Sequence, residues 1–123
     1  MSEIIDDQQL RNIFYKETQI LVDEMRKDLS DLREKQKSGN HIVSDDSQPE
    51  EHSAMLNRLF RNAHTIKSNS GIMGFEDMRQ IAESLEKIFK TARDKGKAMN
   101  VSVISQLSES VEACQRLLNG ERP

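Results

Sequence analysis

Hydrophobic residues recur every three or four positions along most of the chain, which is the spacing of an amphipathic α-helix. The first such stretch predicts a helix over residues 7–36, with acidic residues early and lysines late. Its apolar positions are Leu10, Ile13, Phe14, Ile20, Leu21, Met25, Leu29 and Leu32. Residues 37–51 carry few apolar side chains, so they predict a flexible loop.

A second helix is predicted over residues 48–72. The run Ser47-Gln48-Pro49-Glu50 matches a capping box with proline in the first turn, which marks the start of a helix. Gly74 follows the last apolar position and is the expected C-terminal cap.

The third and fourth helices are predicted over residues 75–94 and 100–119, and Asn100 is the expected N-cap of the fourth. Every helix has a single apolar face, and the last two connections are short. These features predict an all-α fold, an antiparallel up-down four-helix bundle that buries the four faces together. We expect residues 1–123 to form a single domain.

Composition agrees with a bundle and narrows the function. Charged residues make up 32% of the chain; 18 basic and 21 acidic side chains are interspersed, and no basic block is present that would bind nucleic acid. No apolar run approaches the roughly 18–20 residues of a membrane span, and the first residues lack a signal-peptide pattern. We therefore expect a cytoplasmic protein without nucleic-acid or membrane partners. The single cysteine, Cys114, is expected in the core.

Candidate chemistry centres on His64 in the second helix. On a helical wheel His64 lies about 120° from the centre of the apolar stripe, so it faces solvent or the rim of the bundle. Its neighbours on that face are polar, cationic or small: Asn57, Arg61, Lys67, Ser68 and Gly71. An ordinary solvated helix face would look the same. However, phosphoryl transfer needs little more than a positioned nucleophile with nearby cations, which Lys67 and Arg61 supply.

Glu86 in the third helix is a candidate partner of the imidazole. It lies about 100° from the centre of that helix's apolar stripe, at an edge from which an antiparallel neighbour could reach His64. A carboxylate that accepts the Nδ1 hydrogen would leave Nε2 free and more basic. The alternative is a surface glutamate paired with Lys90, one turn further along the helix.

Three small residues near His64 have two interpretations each. Gly71 and Gly74 either end the helix or leave room for a partner to approach the imidazole. Ser68 either donates a hydrogen bond to a phosphoryl oxygen or is simply a small exposed residue.

Residues 61–75 resemble the signature of histidine-containing phosphotransfer (HPt) domains, which reads His-x-x-Lys-Gly followed by small residues and a further glycine. The match is closest to the amino-terminal domain of CheA-type chemotaxis histidine kinases. In that group the segment continues into Gly-x-x-Gly-Phe, and Gly71, Gly74 and Phe75 fall in step. Residues 81–86 look like the family's third-helix segment, whose final glutamate, here Glu86, hydrogen-bonds the phosphoacceptor histidine.

The resemblance implies that His64 accepts a phosphoryl group on Nε2 from a histidine kinase and passes it to an aspartate of a response-regulator receiver domain. ATP and Mg²⁺ are then expected only on the partner kinase and receiver domains, and the chain is a carrier without kinase activity or a cofactor of its own. Two departures from the pattern concern access and partner preference. Ser68 replaces the usual glycine, and Glu83 stands where many chemotaxis kinases have a histidine.

Other interpretations stay open at this point. The chain is either the N-terminal segment of a chemotaxis-type kinase or a stand-alone phosphorelay HPt protein, and in either case we expect a monomer. A non-catalytic helical adaptor would be a different class of protein. Metal binding through His41, His52 and His64 is disfavoured, because their spacing is unlike a helical His-x-x-x-His pair.

Overall fold

Four α-helices follow one another in the computed structural model, which describes residues 6–37, 49–96 and 99–121. They are α1 (Asp7–Lys37), α2 (Pro49–Met73), α3 (Glu76–Lys95) and α4 (Val101–Leu118). Each helix packs on two others, in the pairs α1–α2, α2–α3, α3–α4 and α1–α4, and α2–α3 is the most extensive pair. This arrangement confirms the predicted all-α, antiparallel up-down four-helix bundle.

The core is a continuous layer of aliphatic, methionine and phenylalanine side chains from all four helices. Its fully buried members include Val22, Met25, Leu32, Leu59, Ile66, Phe89, Ile104 and Cys114. Burial of that much apolar surface is the main source of stability in a bundle of this size. Burial also raises the pKa of the Cys114 thiol to about 12, so Cys114 is a core residue, as predicted.

The buried face of α1 differs from the predicted one. Leu10, Ile13 and Ile20 are exposed, whereas Val22 and Thr18 are fully buried. On a helical wheel Ile13 and Ile20 lie about 130° and 150° from the centre of the buried face, so a helix packed on one side cannot bury them. The apolar stripe predicted for α1 is therefore wider than the face that the other helices cover.

Helix ends are formed by local hydrogen bonds. At the end of α2, Gly74 has φ +76, the Gly74 N–H donates to Gly71 and the Phe75 N–H donates to Ser70. This is a Schellman motif, and it confirms Gly74 as the C-terminal cap. Asn100 also caps α4 as predicted, because its side chain accepts a hydrogen bond from the Val103 N–H.

The connection between α1 and α2 falls mostly outside the described residues. α1 continues to Lys37 and α2 begins at Pro49, so both ends of the predicted loop 37–51 are helical. Residues 38–48, including Ser47 of the predicted capping box and His41, are outside the described part of the chain.

Polar contacts fix the other helices against α1. Arg58 of α2 binds Asp28 with two hydrogen bonds of 2.9 and 3.0 Å, and the Asp28 side chain is only 6% exposed. On the other side of α1, the Arg26 guanidinium binds Glu112 of α4 at 2.7 Å. These pairs join α2 and α4 to opposite sides of the long first helix.

Candidate functional site

The geometry around His64 begins with the packing of α2. Its neighbours Ala63 and Ile66 are completely buried and face the core, which turns His64 outward. The His64 side chain is 55% exposed, as the helical wheel predicted. A rigid, well-packed helix therefore presents an accessible imidazole.

Glu86 reaches this imidazole from α3. One carboxylate oxygen, Oε2, lies in hydrogen-bond contact with Nδ1 of His64. The Glu86 side chain is only 12% exposed, so the pair consists of an accessible ring supported by a mostly buried carboxylate. Because an ionised carboxylate only accepts hydrogen bonds, Nδ1 is the nitrogen that carries the proton in this contact.

Lys67 binds the other oxygen of the same carboxylate. Its ammonium Nζ donates to Oε1 of Glu86 at 2.7 Å, and Lys67 is one turn beyond His64 on α2. Burial alone would raise the pKa of the Glu86 carboxyl, but the hydrogen bonds from Lys67 and His64 outweigh burial and lower the pKa below its usual value. The carboxylate thus stays ionised at neutral pH and can hold the Nδ1 hydrogen.

Glu86 therefore pairs with His64 and Lys67 rather than with Lys90, the alternative partner that the sequence suggested. Within the described residues no hydrogen bond or ion pair joins Glu86 to Lys90, which is exposed. The neighbouring Glu83 pairs instead with Arg79, at 3.4 Å.

Arg61 and Ser68 flank His64 along α2. Both side chains are exposed, three residues before and four residues after the histidine, where helical geometry makes them its neighbours. Neither makes a side-chain hydrogen bond to any residue in the described ranges. Both are therefore available to a group that approaches the imidazole.

Gly71 is exposed and lies beside the Arg79 side chain. A Cβ atom at Gly71 would lie 3.5 Å from the Cδ atom of Arg79, an ordinary van der Waals distance. Arg79 is held there by Glu76 and Glu83. Gly71 therefore has room for a methyl group next to the Arg79 stem, and nothing lies within 4 Å of a Cβ at Gly74.

Two residues beside His64 were not singled out from the sequence. Phe60 packs against the core, and its ring also stacks on the imidazole with centroids 6.1 Å apart. Arg93 of α3 lies over the Phe60 ring, 4.3 Å from its centroid. The signals were their positions: Phe60 is four residues before His64, and Arg93 is seven residues after Glu86 and so on the same face of α3.

The other histidines lie away from this centre. His52 is half-buried near the start of α2, and neither ring nitrogen has a hydrogen-bond partner among the described residues. Within the ranges 6–37, 49–96 and 99–121, no three His, Cys, Asp or Glu side chains are grouped so that they would hold a metal ion. None of the described helices has the length and apolarity needed to cross a membrane.

The chemical capacity of this cluster is nucleophilic. A neutral imidazole that donates from Nδ1 has an in-plane lone pair on Nε2, and no hydrogen bond within the described chain occupies that nitrogen. Lys67 and Arg61 provide positive charge on the same helix face. The arrangement suits attack on an electrophile that carries negative charge.

Comparisons with known proteins identify a family and a relative. The family model described as "Hpt domain" matches residues 9–117. The chain is 29% identical over 80 residues to a protein named "Chemotaxis protein CheA" from Halobacterium salinarum. That alignment covers 65% of this chain but 12% of the relative. No solved structure gives a significant match.

Proposed function

Because the chain belongs to the Hpt domain family of phosphotransfer domains, we propose that His64 accepts a phosphoryl group from a histidine kinase and passes it to an aspartate of a response-regulator receiver domain. The observation that supports this role most directly is the contact between Glu86 and Nδ1 of an imidazole that is 55% exposed. In this contact the Glu86 carboxylate fixes the imidazole ring, and Nε2 has no hydrogen-bond partner among the described residues.

The first transfer uses the lone pair on Nε2. That nitrogen attacks phosphorus as the bond to the donor's leaving oxygen breaks, and the oxygen departs with the electron pair. The ring becomes positively charged as the N–P bond forms, and Glu86 stabilises that charge through the Nδ1 hydrogen. Lys67 and Arg61 are the nearby cations that offset charge on the phosphoryl oxygens.

The second transfer reverses these steps. A carboxylate oxygen of the receiver aspartate attacks phosphorus, the N–P bond breaks, and its electrons return to Nε2. The Nδ1 proton remains in the hydrogen bond to Glu86 throughout, so the carrier ends in its starting state. Mg²⁺ and ATP belong to the partner domains in this scheme, and the chain itself catalyses no nucleotide chemistry.

The remaining residues of the proposed site border the surface that a partner protein would approach. Hpt domains interact with kinases and receiver domains, and Arg61, Ser68, Gly71 and Gly74 border the exposed edge of His64 in this proposal. Ser68 adds a hydroxyl close to the phosphoryl position. In this scheme the chain functions as a monomer.

The similarity to a chemotaxis kinase suggests the wider context. This chain spans about one eighth of the length of that relative, which is consistent with a phosphotransfer segment of a longer chemotaxis-type kinase. A stand-alone phosphorelay protein would use the same residues. The two contexts differ in whether a chemotaxis-type kinase core phosphorylates the chain faster than other histidine kinases do.

The decisive experiment labels the chain with a histidine kinase and radioactive ATP. The wild type should gain an acid-labile, base-stable label that a receiver domain removes. His64→Gln should gain none while its circular-dichroism spectrum stays helical, and His52→Gln, the matched control, should label like the wild type. Retention of label in His64→Gln, or its loss in His52→Gln, would contradict the assignment. A wild type that binds partners but never takes up label would instead favour an adaptor.

A further inference from the structure

A second set of contacts reaches His64 through Phe60, which precedes it by four residues on α2, whereas Lys67 follows it by three. The Phe60 ring stacks on the imidazole with an angle of 20° between the two planes. The Arg93 guanidinium carbon lies 4.3 Å from the centroid of the Phe60 ring. We refer to Arg93, Phe60 and His64 as the aromatic stack.

Arg93 is fixed by contacts other than the aromatic ring. Its Nη1 donates to the Asn57 side chain at 3.1 Å, and its Nε donates to Asp94 at 2.9 Å. The Arg93 side chain is only 28% exposed although it lies near the end of α3. Two of the three guanidinium nitrogens are thus hydrogen-bonded, which holds the guanidinium plane against Phe60.

Phe60 is anchored as well, since it packs against the buried core while its ring also contacts His64. An exposed histidine on a helix has more than one accessible rotamer, and its ring also turns about χ2. The contact with Glu86 fixes the position of Nδ1 but leaves the ring free to tilt about that point. A flat neighbour at stacking distance removes this freedom.

We infer that Phe60 and Arg93 are positioning residues, which hold the His64 ring in the plane where Nδ1 meets Glu86 and Nε2 faces solvent. This inference rests on the proposed function, because its benefit is faster phosphoryl transfer at Nε2. Arg93 holds the Phe60 ring in place, and the Phe60 ring in turn orients the imidazole. Neither residue touches the transferred group.

The expected size of the effect follows from the strength of the contact. A cation–π contact at a partly exposed site is worth roughly 0.5–1 kcal/mol, which changes the ratio of two ring orientations by about two- to five-fold. Loss of the Arg93 side chain should therefore slow phosphoryl transfer to His64 by at most about two- to five-fold. Loss of the aromatic face should have at least as large an effect, because the stacking contact itself is removed.

The test uses the whole chain and a small phosphoramidate donor, so that no partner surface is involved. Phosphorylation is followed by ³¹P NMR, and the His64 ring is observed through its own ¹H and ¹⁵N resonances. The variants are Phe60→Leu, which keeps apolar bulk without a π face, Phe60→Tyr, which restores the face, and Arg93→Gln. Arg79→Gln is the matched control, since Arg79 is an arginine of α3 that pairs with Glu76 and Glu83.

Slower phosphorylation of Phe60→Leu and Arg93→Gln, with recovery in Phe60→Tyr and no change in Arg79→Gln, would support the inference. The His64 ring-proton shifts should also move in Arg93→Gln, which keeps the Phe60 ring and changes only how that ring is held against the imidazole. Should Phe60→Leu fail to fold, Arg93→Gln provides the same test from the surface.

Unchanged rates in folded Phe60→Leu and Arg93→Gln, with unchanged His64 resonances in Arg93→Gln, would overturn the positioning role and leave the proposed function standing. A wild type that a histidine kinase does not label would overturn the proposed function instead. In that case the His64 resonances of Arg93→Gln still decide whether the aromatic stack orients His64.

Discussion

Glu86 of α3 contacts the Nδ1 atom of His64 across the interface between α2 and α3. The carboxylate is largely buried, whereas the imidazole is more than half exposed. An accessible imidazole is therefore oriented by a carboxylate that other molecules cannot readily reach. The predictions below concern the parts of this arrangement and the helices that support it.

Removal of the Glu86 carboxylate should slow phosphoryl transfer without unfolding the bundle. We expect Glu86→Ala to reduce the rate of label incorporation at His64 by about tenfold or more, because the ring loses both its orientation and its stabilising charge. The measurement is the initial rate with a kinase in excess. Glu83→Ala is the matched control, a glutamate of α3 that pairs with Arg79 rather than with His64. Equal rates in the two variants would remove Glu86 from the site.

Replacement of Lys67 should raise the pKa of the Glu86 carboxyl. In the wild type that pKa lies below its usual value of 4.5, so the contribution of Glu86 to folding is present above that pH and is lost as the pH falls through the folded-state pKa. In Lys67→Met burial still acts but the ammonium is gone, so the acid loss of stability should begin at a higher pH. Carboxyl ¹³C NMR titration measures the pKa directly.

Lys90→Met is the control for this titration, because Lys90 is the other lysine that the sequence places within reach of Glu86. Its removal should leave the titration of Glu86 unchanged. A shift as large as that of Lys67→Met would mean that general charge, rather than the 2.7 Å hydrogen bond, lowers the pKa.

His52 should make the bundle less stable as the medium becomes acidic. Burial, and to a smaller extent the charge of Lys35, lowers the pKa of His52 below its usual 6.5. The unfolded chain therefore binds a proton at a higher pH than the folded chain, and stability falls as the pH drops below about 6.5. Urea unfolding of His52→Gln should show a smaller decrease between pH 7 and pH 5.5 than the wild type. Parallel curves for the two proteins would refute this.

Gly74 and Gly71 should respond oppositely to alanine. Gly74 has φ +76, where a Cβ atom is strained, so Gly74→Ala should cost about 1–2 kcal/mol of unfolding free energy. Gly71 lies within α2 with room for a methyl group, so Gly71→Ala should be neutral or stabilising by up to about 1 kcal/mol. Thermal or urea unfolding measures both.

Gly71→Ala also tests access to His64. Because the added methyl group would lie beside the Arg79 stem at an ordinary van der Waals distance, we expect Gly71→Ala to pass its phosphoryl group to a receiver at the wild-type rate. Slower transfer from a fully stable Gly71→Ala would show instead that a partner needs the missing side chain.

The sequence predicted the bundle and the exposure of His64 because both depend on local periodicity. Helical spacing and the Asn100 cap placed each helix end within one residue of its observed position, and the wheel placed His64 outside the core. Periodicity alone could not predict how α2 and α3 rotate against each other. The contact between Glu86 and His64 was predicted from the resemblance to HPt domains, whereas the position of Arg93 over Phe60 depends on that rotation and was not predicted.

The residues of α1 show a second limit. Ile13 and Ile20 follow an apolar spacing but face away from the bundle, because whether a stripe is buried depends on which neighbours cover it. Val22 and Thr18 take the central positions instead. Periodicity finds a helix more reliably than it finds the buried side of a long helix.

His64 and Glu86 are only 22 residues apart in the chain, whereas Arg26 and Glu112 are separated by 86. The entropy lost on closing a loop grows with its length, so the α2–α3 hairpin brings His64 and Glu86 together at a lower cost than the first and last helices require to meet. Both partners of the contact lie on one hairpin, whose closure does not require α1 and α4 to meet.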